Sequence, residues 1–355
     1  MKILPVSLLT VTATIGASSA FADENLEAQV ASLKERIEVL ESKPSSIPSD
    51  SSLTLYGSLR PTIEYRTQSD SNDDRNSELD QRDALSQLGL KGSTAIAHDI
   101  NAFFKSEWSV NLNNNGELGS ARQVYVGLES TAGKVALGRQ RPSQYLLISE
   151  YIDIFNHASS PFGYDSNGLF FVSDSFTYQY SNSGVTFHST LSANGRSGSN
   201  DADITNFGLG FDRDGLHIGV TFLDKAIAEG NNVKDREETK ALALANSFGN
   251  LYVAAAYQTS SYSNSKYEKS TFDIVSSYNF GNGYKIKAGL FGYDDGNNGN
   301  ESGQYTGYNF TVENQLASNV RIHTEYLIRD FDSESTKTFN SITFGLRYDF
   351  NIDMK

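Results

Sequence analysis

Val320-Arg321-Ile322-His323-Thr324-Glu325-Tyr326 changes character at every step: Val320, Ile322, Thr324, Tyr326 and Ile328 share one side, and Arg321, His323, Glu325 and Arg329 share the other. A period of two is the signature of a β-strand with one oily face and one wet face. The pattern recurs along the chain. Leu53, Leu55, Gly57 and Leu59 oppose Thr54, Tyr56, Ser58 and Arg60; Leu216, Ile218, Val220 and Phe222 oppose His217, Gly219 and Thr221; Tyr284, Ile286, Ala288 and Leu290 oppose Lys285 and Lys287.

Sixteen such segments follow one another, near 53–67, 83–93, 98–113, 119–131, 133–142, 173–182, 184–195, 202–213, 214–226, 237–248, 249–262, 267–281, 283–295, 303–315, 318–332 and 336–350. Their length suits strands that cross a bilayer at a tilt. A soluble β-sandwich shows the same alternation, so the connections decide between the two. Tight ones, such as Asn182-Ser183-Gly184, Asp212-Arg213-Asp214-Gly215 and Gly281-Asn282-Gly283, alternate with long polar ones at 68–81, 113–119, 195–201, 229–236 and 294–302. Short turns at one end and long loops at the other are the plan of an outer-membrane barrel. The predicted fold is all-β: a sixteen-stranded antiparallel transmembrane β-barrel over residues 53–350.

Composition agrees. The 355 residues are only 38% hydrophobic, yet include 19 Tyr, 21 Phe and 29 Gly, which suits many short strands and turns. With no cysteine, disulfides, thiolate metal sites and thiol catalysis are excluded. The net charge of −14 and the lack of a phosphate loop argue against nucleic acid.

The N-terminus reads differently. Lys2, an apolar run from Ile3 to Ile15, and Ala20-Phe21-Ala22 fit a secretory signal peptide over 1–22. No later apolar run approaches the length of a spanning helix, so a barrel is the remaining route across a membrane. Over 23–43, Leu26, Val30, Leu33, Ile37 and Leu40 alternate spacings of four and three, the seam of a short coiled coil. A lone helix this short is marginal, so self-association is expected. Val30 and Ile37 against Leu33 and Leu40 favour two strands in isolation, and any trimer would be imposed by the barrel. Residues 44–52, with Pro44 and Pro48 among serines, read as a linker.

Leu53-Thr54-Leu55-Tyr56-Gly57, Ser86-Gln87-Leu88-Gly89-Leu90-Lys91-Gly92, Val124-Tyr125-Val126-Gly127-Leu128 and Gly133-Lys134-Val135-Ala136-Leu137-Gly138-Arg139-Gln140, in this order, resemble the Gram-negative general porin family. The resemblance covers roughly residues 53–350. It implies a homotrimer of water-filled diffusion channels in the outer membrane, inserted by the barrel assembly machinery, with no cofactor and no metal. The aromatic-ended strand closing at Phe350 is similar to the family's terminal strand, but Asn351-Ile352-Asp353-Met354-Lys355 is added as a C-terminal extension. Ile352 and Met354 keep the parity of Phe350 and could prolong the strand.

One connection, 143–172, is far longer than the rest and asks for a reason. The resemblance implies that it folds into the barrel and narrows the pore. Glu150, Asp153 and Asp165 would supply charge there, while Tyr145, Tyr151, Phe155, Phe162, Tyr164, Phe170 and Phe171 would pack the loop on the wall. The family's arginine ladder is implied at Arg139, whereas Gln87 and Ser181 stand where arginines are common. Arg139 and Arg141 share parity with lipid-facing Val135 and Leu137, so the strand must bend near Gly138 and Pro142 for either to reach the lumen. Arg60, Arg66, Lys91, Lys105 and Arg347 lie on wet faces and could replace the missing charge. The expected pore constriction is therefore Arg139, Arg141, Glu150, Asp153, Asp165, Gln87, Arg60 and Lys105, with a mild cation preference.

Other readings stay open: a saccharide-specific channel using the loop aromatics, or a tether to peptidoglycan or another periplasmic partner through 23–43. An enzyme has the least support, since His98, His157, His188, His217 and His323 are scattered and fit no metal or nucleophile spacing.

Overall fold

The computed structural model describes Lys34 and residues 51–354, except 71, 73, 114–115, 194–202, 230–231, 298–302 and 334–335. The chain divides into Met1–Ser49 and Asp50–Lys355. The expected signal peptide, coiled-coil seam and most of the linker thus fall outside the described residues. Lys34 alone is described there, helical and exposed.

Strand segments in the second unit are β1 (Ser51–Leu59), β2 (Pro61–Ser69), β3 (Arg75–Asp83), β4 (Gln87–Ala97), β5 (Ile100–Val110), β6 (Leu118–Ser130), β7 (Gly133–Gln140), β8 (Val172–Asn182) and β9 (Val185–Ser192). They continue with β10 (Ile204–Arg213), β11 (Leu216–Glu229), β12 (Asn232–Phe248), β13 (Leu251–Tyr262), β14 (Lys269–Asn279), β15 (Tyr284–Asp294), β16 (Tyr305–Ala317), β17 (Val320–Phe331) and β18 (Thr338–Met354). These make sixteen spans, because β1 and β2 are two halves of one strand and β3 and β4 are halves of the next. Both β1 and β2 pair with β18 in one unbroken register, from Leu53 opposite Met354 to Ser69 opposite Thr338. That pairing closes the ring, and every neighbouring pair is antiparallel. At the break, Leu85 adopts a φ of 69° and the register slips by one residue between the β1–β4 and β2–β3 ladders. This is a β-bulge, which bends the strand while Arg60 N donates to Ser86 Oγ at 2.7 Å.

Side chains sort as the alternation requires. Ile63, Val126, Leu137, Leu209, Leu244, Phe310 and Phe344 are exposed on the outer wall, whereas Glu64, Glu107, Gln123, Asn206, Glu313 and Glu325 are buried on the lumen side. Greasy outside and polar inside inverts the soluble arrangement and suits a lipid surround. Phe248, Tyr278, Phe280, Tyr284 and Tyr348 form an exposed aromatic band near the tight-turn end. That end is the periplasmic one, by the rule that periplasmic turns are short. Two-residue turns close it, as at Asp214-Gly215, with φ of 52° and 89°, the positive pair that a primed hairpin turn requires.

Two expected loops are strand instead. Residues 75–83 form β3, and β12 begins at Asn232, so the connections near 68–81 and 229–236 shrink to 70–74 and 230–231. Arg75-Asn76-Ser77-Glu78 and Lys234-Asp235-Arg236-Glu237 stand at the outer ends of their strands, where an oily face is not required, so the period-two signal disappears while the backbone ladder persists. At the other terminus β18 runs to Met354, so residues 351–354 are wall, paired with β1.

Candidate pore constriction

Between β7 and β8 the chain leaves the wall and crosses the lumen. It forms helix α1 (Ser143–Leu147) and two single 3-10 turns at Ser149–Tyr151 and Gly163–Ser166. A loop inside a barrel must satisfy its backbone on the wall, and strand after strand supplies partners. Gln144 N donates to Asn206 Oδ1 at 2.7 Å, and the Leu147 carbonyl oxygen lies 3.0 Å from His217 Nε2. Lys287 Nζ donates to the Ile154 carbonyl at 2.8 Å, and Asn156 N donates to Glu325 at 3.1 Å. His157 Nε2 meets Thr343 Oγ1 at 3.0 Å, and the loop turns back where Gly163 N donates to Asp273 at 2.7 Å. Buried among wall residues, the His157 imidazole is pushed down from about 6.5 to about 3, so it serves as a neutral anchor.

Small residues on the wall make the seat. Tyr145, Ile148, Ile152, Phe155, Phe162 and Tyr164 pack on Ala241, Ala243 and Ala245 of β12 and Ala254 and Ala256 of β13. These alanines occupy the wet parity, where a larger side chain would hold the loop off. Gly219 allows the closest approach: a Cβ there would collide with the Leu147 carbonyl oxygen. Gly289 lies under the Phe155 ring, 2.7 Å from where its own Cβ would stand.

The loop's anchors fall on β2 and on β9–β18, which leaves β1 and β3–β8, and of these β1 and β4–β7 carry the side chains that face the loop. Here Tyr56 OH donates to Glu107 at 2.9 Å, and Lys91 and Lys105 each hold Nζ 5.7 Å from the Tyr56 ring. Glu107 also takes Arg122 at 3.0 Å and Lys105 at 3.5 Å. Register slips beside Trp108 and after Gly138, where φ is 130°, turn Arg122 and Arg139 off the plain alternation. Arg122, Arg139 and Arg141 then gather around one ring, Phe171, at 5.2, 5.4 and 4.8 Å. Arg141 also lies 3.5 Å over Tyr145, whose hydroxyl donates to Asp153 at 2.8 Å. Asp153 acts through space on Arg60, and Glu150 feels Arg141 and Lys105. Loop carboxylates thus face wall cations across the opening. The sides are unequal: among the described residues no carboxylate forms an ion pair with Arg60, Lys91, Arg139 or Arg141, while Lys105 and Arg122 share Glu107.

Of the expected constriction residues, Arg60, Lys105, Arg139, Arg141, Glu150 and Asp153 gather around this opening. Gln87 lies on the same wall by parity with Lys91, between Ser58 and Ser109. Asp165 stands apart, exposed, with Ser160 Oγ donating to it, on the part of the loop near Arg329. Ser181 is far from Gln87, bonded to Thr186 at 2.9 Å beside the tight turn at 183–184, so it holds no ladder position. Arg66 is bound to Glu78 at 2.6 Å at the outer rim. Phe171 was expected against the wall as packing; it instead sits half-buried among guanidiniums. Sequence reasoning missed Arg122, whose strand position reads as lipid-facing until the bulge is known. It also missed the histidines as anchors: His188, His217 and His157 each hold a different part of the loop.

The family described as Gram-negative porin matches residues 8–351. A search of curated proteins returned no match. Among solved structures, the anion-selective porin from Comamonas acidovorans is similar at a TM-score of 0.71 and 17% identity, over 84% of this chain and 100% of that one. OmpF of Salmonella typhi, in complex with daunomycin, gives 0.68 and 18%, over 84% and 97%. The outer membrane channel DcaP of Acinetobacter baumannii gives 0.66 and 16%, over 85% and 98%.

Proposed function

The chain belongs to the Gram-negative porin family and forms a water-filled outer-membrane channel for passive diffusion of small hydrophilic solutes, and we propose that its constriction favours anions. The carrying observation is that, among the described residues, Arg60, Lys91, Arg139 and Arg141 form no ion pair with a carboxylate, whereas the loop offers Glu150 and Asp153 in opposition. Charge at the narrowest point, rather than net charge over the chain, sets the barrier to an ion. The sign is therefore opposite to that expected from the acidic sequence. Opposed charges across one opening also make a transverse field that orients dipolar solutes and penalises apolar ones. The reversal potential across a salt gradient tests this reading, with anion preference expected and cation preference contrary to it.

The channel is non-catalytic in this reading, and the protein works as a homotrimer, as one solved relative, OmpT of Vibrio cholerae, is described in trimer form. Delivery to the outer membrane would follow a cleaved signal peptide over 1–22 and the barrel assembly machinery. Residues 23–43 would then lie in the periplasm and reach peptidoglycan or another partner through Leu26, Val30, Leu33, Ile37 and Leu40. Deleting 23–43 should leave conductance intact while loosening envelope attachment.

Of the loop aromatics, Tyr145, Phe155, Phe162 and Tyr164 are buried, whereas Tyr151, Phe170 and Phe171 are half-buried, so a saccharide-specific reading would rest on those three.

A further inference from the structure

Behind the loop, an amine, an amide and a carboxylate meet on one oxygen. Glu313 of β16 accepts Lys287 Nζ of β15 on Oε2 at 2.9 Å and, on the same oxygen, Nδ2 of the loop residue Asn156 at 3.2 Å. Its other oxygen lies 3.5 Å from Arg321 Nη1, which holds the carboxylate in place. Arg347 Nη1 donates to Asn156 Oδ1 at 3.4 Å. The amide is therefore oriented from both sides, with its nitrogen toward an acceptor and its carbonyl oxygen toward a cation. Exposure is 4% for Asn156, 6% for Lys287 and 2% for Glu313, so bulk water is kept from all three.

We propose that Lys287 and Asn156 condense into an intramolecular isopeptide bond, made by the chain itself, that ties the loop covalently to β15. The reaction needs a nucleophilic amine, an electrophilic carbonyl and a proton carrier that touches both nitrogens, and these are the three groups brought together. Nζ attacks Asn156 Cγ, the carbonyl electrons move onto Oδ1 beside Arg347, and their return breaks the bond from Cγ to Nδ2. Nζ gives up two protons through Glu313 to the leaving nitrogen, which departs as ammonium. No oxidant or reductant is consumed. Burial favours this direction, because an ammonium held away from water is exchanged for a neutral amide. Glu313 is left ionised beside Arg321, placed to accept the new amide N–H. The inference goes beyond solute diffusion and rests on the seat of the loop rather than on the ion preference of the opening.

The test is mass spectrometry of the full protein purified from the outer membrane. The wild-type chain should be lighter than its sequence by one ammonia, about 17 Da, and trypsin should release a branched peptide that joins the segment of Asn156 to that of Lys287, uncut after Lys287. Glu313→Gln and Lys287→Met, each with its barrel verified by far-ultraviolet circular dichroism, should show the full mass and linear peptides only. Wild-type protein of full mass that is cleaved after Lys287 would overturn the inference, as would an ammonia loss that persists in Lys287→Met. The wild-type result decides even if a variant fails to fold. Failure of the channel reading would look different, as an absence of ionic current with the branched peptide still present.

Discussion

The Asp273 carboxylate on β14 accepts the backbone N–H of Gly163 at 2.7 Å, and its other oxygen accepts that of Tyr164 at 3.0 Å. One wall side chain thus holds the return limb of the loop by its main chain, independent of the loop's side chains. Two hydrogen bonds from backbone N–H groups, made away from bulk water, are a strong anchor. Asp273→Ala should cost about 1–3 kcal/mol of loop docking and appear as added open-channel noise and faster proteolysis near Gly163. Asp273→Asn, which keeps one acceptor, should fall between. Quiet, protease-resistant alanine channels would show that the bonds do not hold the loop.

Gly289 and Phe155 form a second seat. Gly289→Ala overpacks the ring and should lower thermal stability by about 1–3 kcal/mol. Phe155→Leu in the same chain should recover part of that loss, because the two changes share one space and are not additive. Strict additivity in a double-mutant cycle would mean that the ring does not rest there.

Charge at the opening should read out one residue at a time. Asp153→Asn and Glu150→Gln should each move the reversal potential toward anions, and Arg60→Gln and Arg141→Gln toward cations. Asp165→Asn, on the limb near Arg329, should move it less than Asp153→Asn. Equal effects of Asp153 and Asp165 would contradict their placement.

His157 makes the loop sensitive to acid. Its imidazole titrates near 6.5 when free and near 3 when docked, so the undocked loop binds the extra proton. Docking is therefore fully stable above pH 6.5 and weakens as pH falls toward 3. The groups around the ring are Ser341, Thr343, Glu64, Arg329, His323 and Arg82, and the Ser159 N–H donates to its Nδ1 at 2.9 Å. Channel noise should rise on acidification through that window, and His157→Gln should flatten the dependence. A histidine-independent acid response would assign it to carboxylates instead.

Much of this was legible before the structure. Alternation gave the spans, and the length of 143–172 marked the loop. Rim strands escaped because β3 and the start of β12 have no oily face to betray them. Arg122 escaped because a one-residue bulge inverts parity, which the sequence does not display. Ala241, Ala243 and Ala245, set between Leu242 and Leu244, were a readable signal: small residues on a wet face mean that something leans on it. The sign of the ion preference could not be read from composition, since acids such as Asp70, Asp74 and Glu78 at the outer rim count equally with those at the opening.

We propose that residues 143–171, which cross the lumen, form the narrow passage against Arg60, Lys105, Arg122, Arg139 and Arg141. The most direct measurement is single-channel conductance of a protein in which Gln144–Phe170 is replaced by a short Gly-Ser connection, with far-ultraviolet circular dichroism confirming the barrel. Conductance should rise severalfold and ion preference should weaken. A folded barrel of unchanged conductance would place the narrow passage elsewhere and contradict the account.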